Sequence, residues 1–184
     1  MLKNTKVPIL GFAAFSGTGK TSLLLKLLPE LKNRGLVVAV IKHAHHAFDP
    51  DHPGKDSYEL RKAGTDRMLV ASRHRWALMV ETEDRVEPRL DDLLKHLPQD
   101  GLDLIVVEGF KHEVFPKIEL HRPSLGNPLL FPDDRSFVAV ATDQPISIGS
   151  SIPLLDLNNV DEIATFIVDN FFAATVAPQT LPVG

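Results

Sequence analysis

Apolar residues in this chain fall into two patterns. Residues 7–15, 36–41 and 102–107 are nearly unbroken apolar runs. Runs of that length without alternation suit parallel strands covered on both faces. Between the first two runs, Leu23, Leu24, Leu27, Leu28 and Leu31 recur at helical spacing, which predicts a helix over about 19–34 with one apolar stripe. Pro29 lies inside it, removes one backbone donor and predicts a bend. Gly35 stands where a C-terminal cap belongs.

The pattern continues in shorter units. Asp56 or Ser57 is placed to cap a short helix that reaches Ala63 and ends at Gly64. Residues 68–71 and 76–81 are apolar and separated by Ser72-Arg73-His74-Arg75, which predicts an antiparallel hairpin attached to the sheet, with Trp76 in its core. Leu90, Leu93, Leu94 and Leu97 share one face of a predicted helix over 89–97. Further strands are predicted at 117–121 and 137–141. A short strand or turn is expected at Leu154-Leu155, and a last helix over 160–172. From residue 173 the chain is small and proline-containing and reads as a frayed tail.

Strands alternating with helices predict an α/β fold: a mostly parallel sheet with helices on both faces and an antiparallel hairpin extension. The expectation is one domain over 1–172. In such sheets ligands bind at the C-terminal ends of the strands. The loops after the first strand, the second strand, the run ending in Glu108 and the run ending in Thr142-Asp143 therefore gather on one edge.

The first of those loops carries the strongest chemical signal. Ala14-Phe15-Ser16-Gly17-Thr18-Gly19-Lys20-Thr21 has the form [AG]-x-x-x-x-G-K-[ST], between a predicted strand and a predicted helix. That is the context a phosphate-binding loop requires, and it specifies the P-loop nucleotide triphosphatase fold. Gly17 and Gly19 let the backbone curl so that N–H groups converge on one anion. The helix that follows, from Lys20 through Ser22, adds free N–H groups and the positive end of its dipole. Lys20 supplies a mobile cation for the outer phosphates, and Thr21 a hydroxyl for Mg²⁺.

Other candidates sit on the same edge. Glu108 closes the run Leu104-Ile105-Val106-Val107, and an acid there is the second half of such a site, holding Mg²⁺ directly or through water. Lys42 and His43 leave the second strand beside the phosphate loop, within reach of outer phosphates. Asp143 is open to two readings. A carboxylate can accept from guanine's ring N–H and amino group and leaves adenine unmatched; equally, an Asp before Gln144-Pro145 can simply form a turn. The Asn-Lys-x-Asp guanine box of Ras-like proteins is absent. His43, His45 and His46 suggest a transition metal, but no fourth histidine or carboxylate completes a shell. Contact with phosphate, substrate or a partner is the preferred role. Arg61, Arg67, Arg73 and Arg75 are candidates for a phosphorylated ligand, with solvated surface charge preferred for each. No residue is assigned a catalytic role.

Composition narrows the class further. The 184 residues carry 20 Lys and Arg against 24 Asp and Glu, for a net charge of -4. That balance argues against a nucleic-acid surface. There are no cysteines, so disulfides and zinc–thiolate sites are excluded and a reducing compartment fits. The first residues are polar, and no apolar run approaches the roughly 20 residues that span a bilayer. The expectation is a cytoplasmic protein without membrane contact.

Several segments stand together: the loop 15–21, Ile41-Lys42-His43-Ala44-His45-His46, the stretch 53–64, Arg75-Trp76-Ala77-Leu78-Met79, Val107-Glu108-Gly109-Phe110-Lys111-His112 and Ala141-Thr142-Asp143. With them the chain strongly resembles the MobB family of molybdopterin-guanine dinucleotide biosynthesis adaptor proteins, from residue 7 to about 172. The departure at Ala13-Ala14, where many relatives of the wider class carry glycine, leaves the cradle intact. The resemblance implies GTP and Mg²⁺ binding, weak GTP hydrolysis and a homodimer. It implies partnership with the guanylyltransferase that joins GMP to molybdopterin, with molybdopterin itself a further candidate ligand. The competing expectation, from the loop and strand-end acid alone, is a small-molecule kinase or ligase using ATP.

Overall fold

Six parallel strands form the frame that carries the loops. The structure, a computed structural model, describes residues 2–44, 48–82, 87–149 and 152–172. Its contacts divide the chain into two compact units, Met1–His43 with Leu90–Gly184, and Ala44–Arg89. The expected frayed tail, 173–184, lies outside the described residues, as do His45 and His46.

The larger unit contains β1 (Ile9–Ala13), α1 (Lys20–Asn33) and β2 (Val38–Lys42). The smaller unit contains α2 (Asp56–Lys62), β3 (Arg67–Ala71) and β4 (Trp76–Val80). The chain returns to the larger unit through α3 (Leu90–Leu94), β5 (Leu104–Glu108), β6 (Lys117–His121), β7 (Phe137–Thr142), β8 (Leu154–Asp156) and α4 (Val160–Phe171). The sheet order is β2-β5-β1-β6-β7-β8, and every pairing in it is parallel.

Both faces of the inner strands are covered, which is why β1 and β5 read as unbroken apolar runs. β2, at the sheet edge, is only partly buried, with Val40 44% exposed. Leu10, Phe12, Leu104, Val106, Ile118 and Leu120 pack on one face with Leu23, Leu27 and Leu31 of α1 and Ile163 and Ile167 of α4. Ile9, Ile105 and Val107 pack on the other with Leu90 and Leu94 of α3. α1 runs on through Pro29 to Asn33, with Leu27 and Leu31 fully buried on either side of it. It ends where Gly35 N donates to Lys32 O (2.9 Å) and Leu36 N to Leu31 O (3.1 Å), the expected glycine-terminated helix end. α3 is shorter than the leucine pattern predicts; Leu93 and Leu97 pack only partly against its core.

In the smaller unit, the hairpin is an antiparallel two-stranded sheet of its own, with Leu69 opposite Leu78 and Ala71 opposite Trp76. Trp76 is 63% exposed, contrary to the expected core position, because a lone two-stranded ribbon offers no opposing layer on that face. α2 starts earlier than expected: Lys55, not Asp56 or Ser57, is the cap, without a side-chain bond, and Asp56 sits in the first turn, where its charge favours the helix dipole. Arg61 is not an anion site. Its side chain is buried and ion-paired with Asp49 and Glu81. No helix among the described residues is long and apolar enough to cross a membrane.

Candidate nucleotide-binding site

The parallel registers bring several strand ends to one edge. Phe12 of β1 and Lys42 of β2 both pair with Glu108 of β5, and His121 of β6 pairs with Thr142 of β7. The segments that leave those ends are 14–19, 43–44, 109–116, 122–136 and 143–149.

The loop 14–19 joins β1, an inner strand, to the first turn of α1. Gly19 sits in the left-handed region at φ 103°, and Gly17 at φ 79°. Side chains rarely adopt either, so both positions require glycine as the sequence suggested. Thr18 is buried, and its Oγ1 donates to Phe15 O at 2.9 Å. Leu23 N donates to Gly19 O at 2.9 Å and closes the first helical turn. The preceding N–H groups, of Lys20, Thr21 and Ser22, have no intrahelical acceptor and point out of the helix start. Ser16, Gly17, Thr21 and Ser22 are exposed, so the mouth of the loop is open to a ligand.

Lys20 folds back over the loop. Its Nζ donates to Ala14 O at 2.9 Å and Phe15 O at 3.4 Å. Burial lowers its pKa; Glu108 acts the other way, and Lys111 and Lys42 act with burial. Lys20, Lys42 and Lys111 thus form a cationic surround suited to a polyanion.

Thr21 Oγ1 donates to Glu108 Oε1 at 3.3 Å, and Lys42 Nζ lies 3.2 Å from Glu108 Oε2. The oxygen pair tests the metal expectation. Two neighbouring ligands of an octahedral Mg²⁺ at ~2.1 Å stand about 3 Å apart, so hydroxyl and carboxylate are within a few tenths of an ångström of that spacing. They are hard oxygen donors, as Mg²⁺ requires, and the residues fit the ion.

His43 is tied to the same edge. Its N–H donates to Glu108 O at 2.9 Å, and its ring stacks on Phe110 with centroids 4.7 Å apart. A Cβ on Gly109 would meet His43 Cβ at 2.7 Å, so this approach depends on Gly109. The ring packs as a wall of the β5 end. Among the described residues no cluster of three or more His, Cys, Asp or Glu could hold a metal.

Asp143 is 15% exposed, at the expected strand end, but its Oδ2 pairs with Arg122 Nη1. Arg122 Nε also donates to Thr18 O, at 2.9 Å. Sequence reading missed Arg122. The available signal was its position: it directly follows the strand 117–121, whose end lies on the same edge.

A parallel sheet with this loop on an inner strand, a helix opening from it and a strand-end acid beside the loop threonine define a P-loop protein of the nucleotide-binding class. The chain belongs to the MobB family: the family model described as "Molybdopterin guanine dinucleotide synthesis protein B" matches residues 9–143. The molybdopterin-guanine dinucleotide biosynthesis adapter protein of Escherichia coli K12 is 51% identical over 92% of this chain and 96% of its own. That of Haemophilus influenzae is 45% identical over 89% of each. A crystal structure of molybdopterin-guanine biosynthesis protein B superposes with TM-score 0.68 at 25% identity, covering 88% of this chain and 98% of that one. A tetraacyldisaccharide 4'-kinase of Ectopseudomonas mendocina is 31% identical over 58% of this chain but only 32% of its own length.

Proposed function

We propose that this protein is a GTP-binding adapter in molybdopterin guanine dinucleotide biosynthesis, assisting the guanylyltransferase that attaches GMP to molybdopterin. Membership of the MobB family supports the pathway. One observation carries the nucleotide part: Lys20 folds over the loop carbonyls of Ala14 and Phe15, beside the Thr21–Glu108 oxygen pair. Lys20 and the N–H groups at the start of α1 hold the phosphates. Thr21 and Glu108 hold Mg²⁺, which, when bound, offsets phosphate charge. Lys42, close to Glu108, stands ready to turn toward an outer phosphate. Asp143 reads the guanine edge. Weak GTP hydrolysis is part of the proposal, as the family resemblance implies.

The proposal includes a homodimer. Leu69, Trp76, Leu78 and Val80 are each more than half exposed. Their register puts Leu69 beside Leu78, and Trp76 and Val80 on the same face of the hairpin. A second copy of the chain would cover such an apolar ribbon.

Reconstitution tests the function. The partner guanylyltransferase, supplied with molybdopterin and Mg²⁺-GTP, should form the dinucleotide faster with this chain than without it, and Lys20→Ala should remove the gain. Rapid consumption of ATP with a small acceptor, and no effect on the partner, would favour the kinase instead.

A further inference from the structure

Arg122 joins two parts of the site that are far apart in sequence. Its Nε donates to the carbonyl of Thr18 in the phosphate loop at 2.9 Å, and its Nη1 pairs with Asp143 Oδ2. A Cβ on Gly19 would lie 3.8 Å from its Nη2, so the guanidinium lies directly against the loop. Thr18 is itself held, since its Oγ1 and N–H both donate to Phe15 O. Asp143 Oδ1 is buried and has no hydrogen-bond partner among the described residues.

The guanidinium is a planar fork whose donors keep fixed directions. Bridging Thr18 and Asp143 with one fork therefore sets the position and angle of the carboxylate relative to the phosphate loop. It also occupies one carboxylate oxygen and leaves the other bare. A buried polar atom without a partner is costly, and its presence calls for an explanation. A ligand N–H arriving at Oδ1 supplies one.

We propose that Arg122 is a positioning residue for base selection: it presents Asp143 Oδ1 as a single oriented acceptor and ties it to the phosphate loop. The inference rests on the guanine-nucleotide reading and deepens it. Guanine and hypoxanthine both carry a ring N–H at the edge in question. Adenine has a lone pair there, which a carboxylate oxygen repels. One bare oxygen needs one N–H, so the 2-amino group of guanine contributes little.

Calorimetric titration of the full chain with the Mg²⁺ complexes of GTP, ITP and ATP tests this, using wild type, Arg122→Gln and Arg122→Lys. Wild type should bind GTP and ITP within about threefold of each other and ATP at least about tenfold more weakly, the scale of one charged hydrogen bond. In both variants the GTP-to-ATP ratio should fall toward one. Lysine should not rescue it, because a point ammonium cannot bridge both acceptors in fixed directions. Should Arg122→Gln fail to fold, Arg122→Lys decides alone. A wild-type ratio retained in a folded variant overturns the inference. So does ITP binding far more weakly than GTP, which would mean that the 2-amino group is read. Equal affinity of wild type for GTP and ATP would instead overturn the guanine reading beneath it.

Discussion

Thr21 Oγ1 and Glu108 Oε1 stand 3.3 Å apart, one on the first turn of α1 and the other at the end of β5. β1 and β5 are hydrogen-bonded neighbours in register from Ile9 with Ile105 to Phe12 with Glu108. The parallel sheet therefore fixes where the acid ends relative to the loop that leaves β1. If this pair holds Mg²⁺, the metal should strengthen nucleotide binding in wild type. Thr21→Ala and Glu108→Gln should each remove most of that dependence, about tenfold in affinity, while leaving metal-free binding less affected. Titration with and without Mg²⁺ checks this. An unchanged Mg²⁺ effect in both variants would place the ion elsewhere.

Lys20 gives the site a pH signature. Burial holds its pKa below the ordinary 10.5, against the opposing pull of Glu108. In the free protein the folded state therefore binds fewer protons than the unfolded chain over the alkaline window below that value, so this group adds stability as pH rises. A bound phosphate reverses the balance by favouring the ammonium. Nucleotide binding should take up a proton in that window, and affinity should fall as pH rises through the lysine's lowered pKa. Lys20→Arg should remove the lysine's share of the fall, since guanidinium does not titrate there, and leave the part that follows ionisation of guanine's own ring N–H. An alkaline affinity profile that is the same in wild type and Lys20→Arg would remove Lys20 from the phosphate contact.

Much of this architecture could be read from the residues. The apolar runs marked β1 and β5 because both faces of the inner strands are buried, and marked β2 although that edge strand is only partly covered; the leucine spacing gave α1. The loop residues Gly17, Gly19, Lys20 and Thr21 and the acid Glu108 announce themselves through residue type and spacing. Trp76 did not, because burial depends on whether a second layer exists, and a local pattern carries no information about layers. Arg61 looked like a free cation because its partners Asp49 and Glu81 lie outside its helix. Arg122 was missed for a similar reason: its two acceptors belong to the loop after β1 and the end of β7, and only the sheet order brings them together.

The segment after β5 is pinned by a buried amine. Lys117 is fully buried; its Nζ donates to Lys111 O (3.1 Å) and Glu113 O (2.6 Å) and pairs with Asp134 at 2.9 Å. Burial acts to raise the Asp134 pKa, but bonds from Lys117 and Ser136 outweigh it and hold it below 3.8. Its stabilisation is present above that value and lost as pH falls through the lowered one. Glu119, pushed up by burial, has the opposite sign and gains stability on protonation. Asp134→Asn should cost about 3 kcal/mol at neutral pH, because it leaves the buried ammonium without its counter-charge. The gap from wild type should close in strong acid. Denaturant melts of both proteins at neutral and low pH measure it; equal stability at neutral pH would contradict the pairing.

The exposed face of the hairpin sets a test of assembly. Sedimentation at micromolar concentration should give a dimer. Leu78→Glu and Trp76→Glu, which place a charge in the apolar ribbon, should give monomers with little loss of fold stability, since exposed substitutions usually change it by about 0.5 kcal/mol. A wild-type monomer, or charged variants that still dimerise, would put the interface elsewhere or nowhere.

The central claim is that the loop 14–21 binds a guanine nucleotide, and the thermal midpoint of the chain with Mg²⁺-GTP, Mg²⁺-ATP and no ligand tests it most directly. At 100 times its dissociation constant a ligand stabilises the fold by about 2.7 kcal/mol. For a chain of this size that is roughly 5–10 °C. GTP should give that shift, ATP a smaller one at equal concentration, and Lys20→Ala should lose most of it. Equal shifts with GTP and ATP, or a shift that survives in Lys20→Ala, would contradict the account.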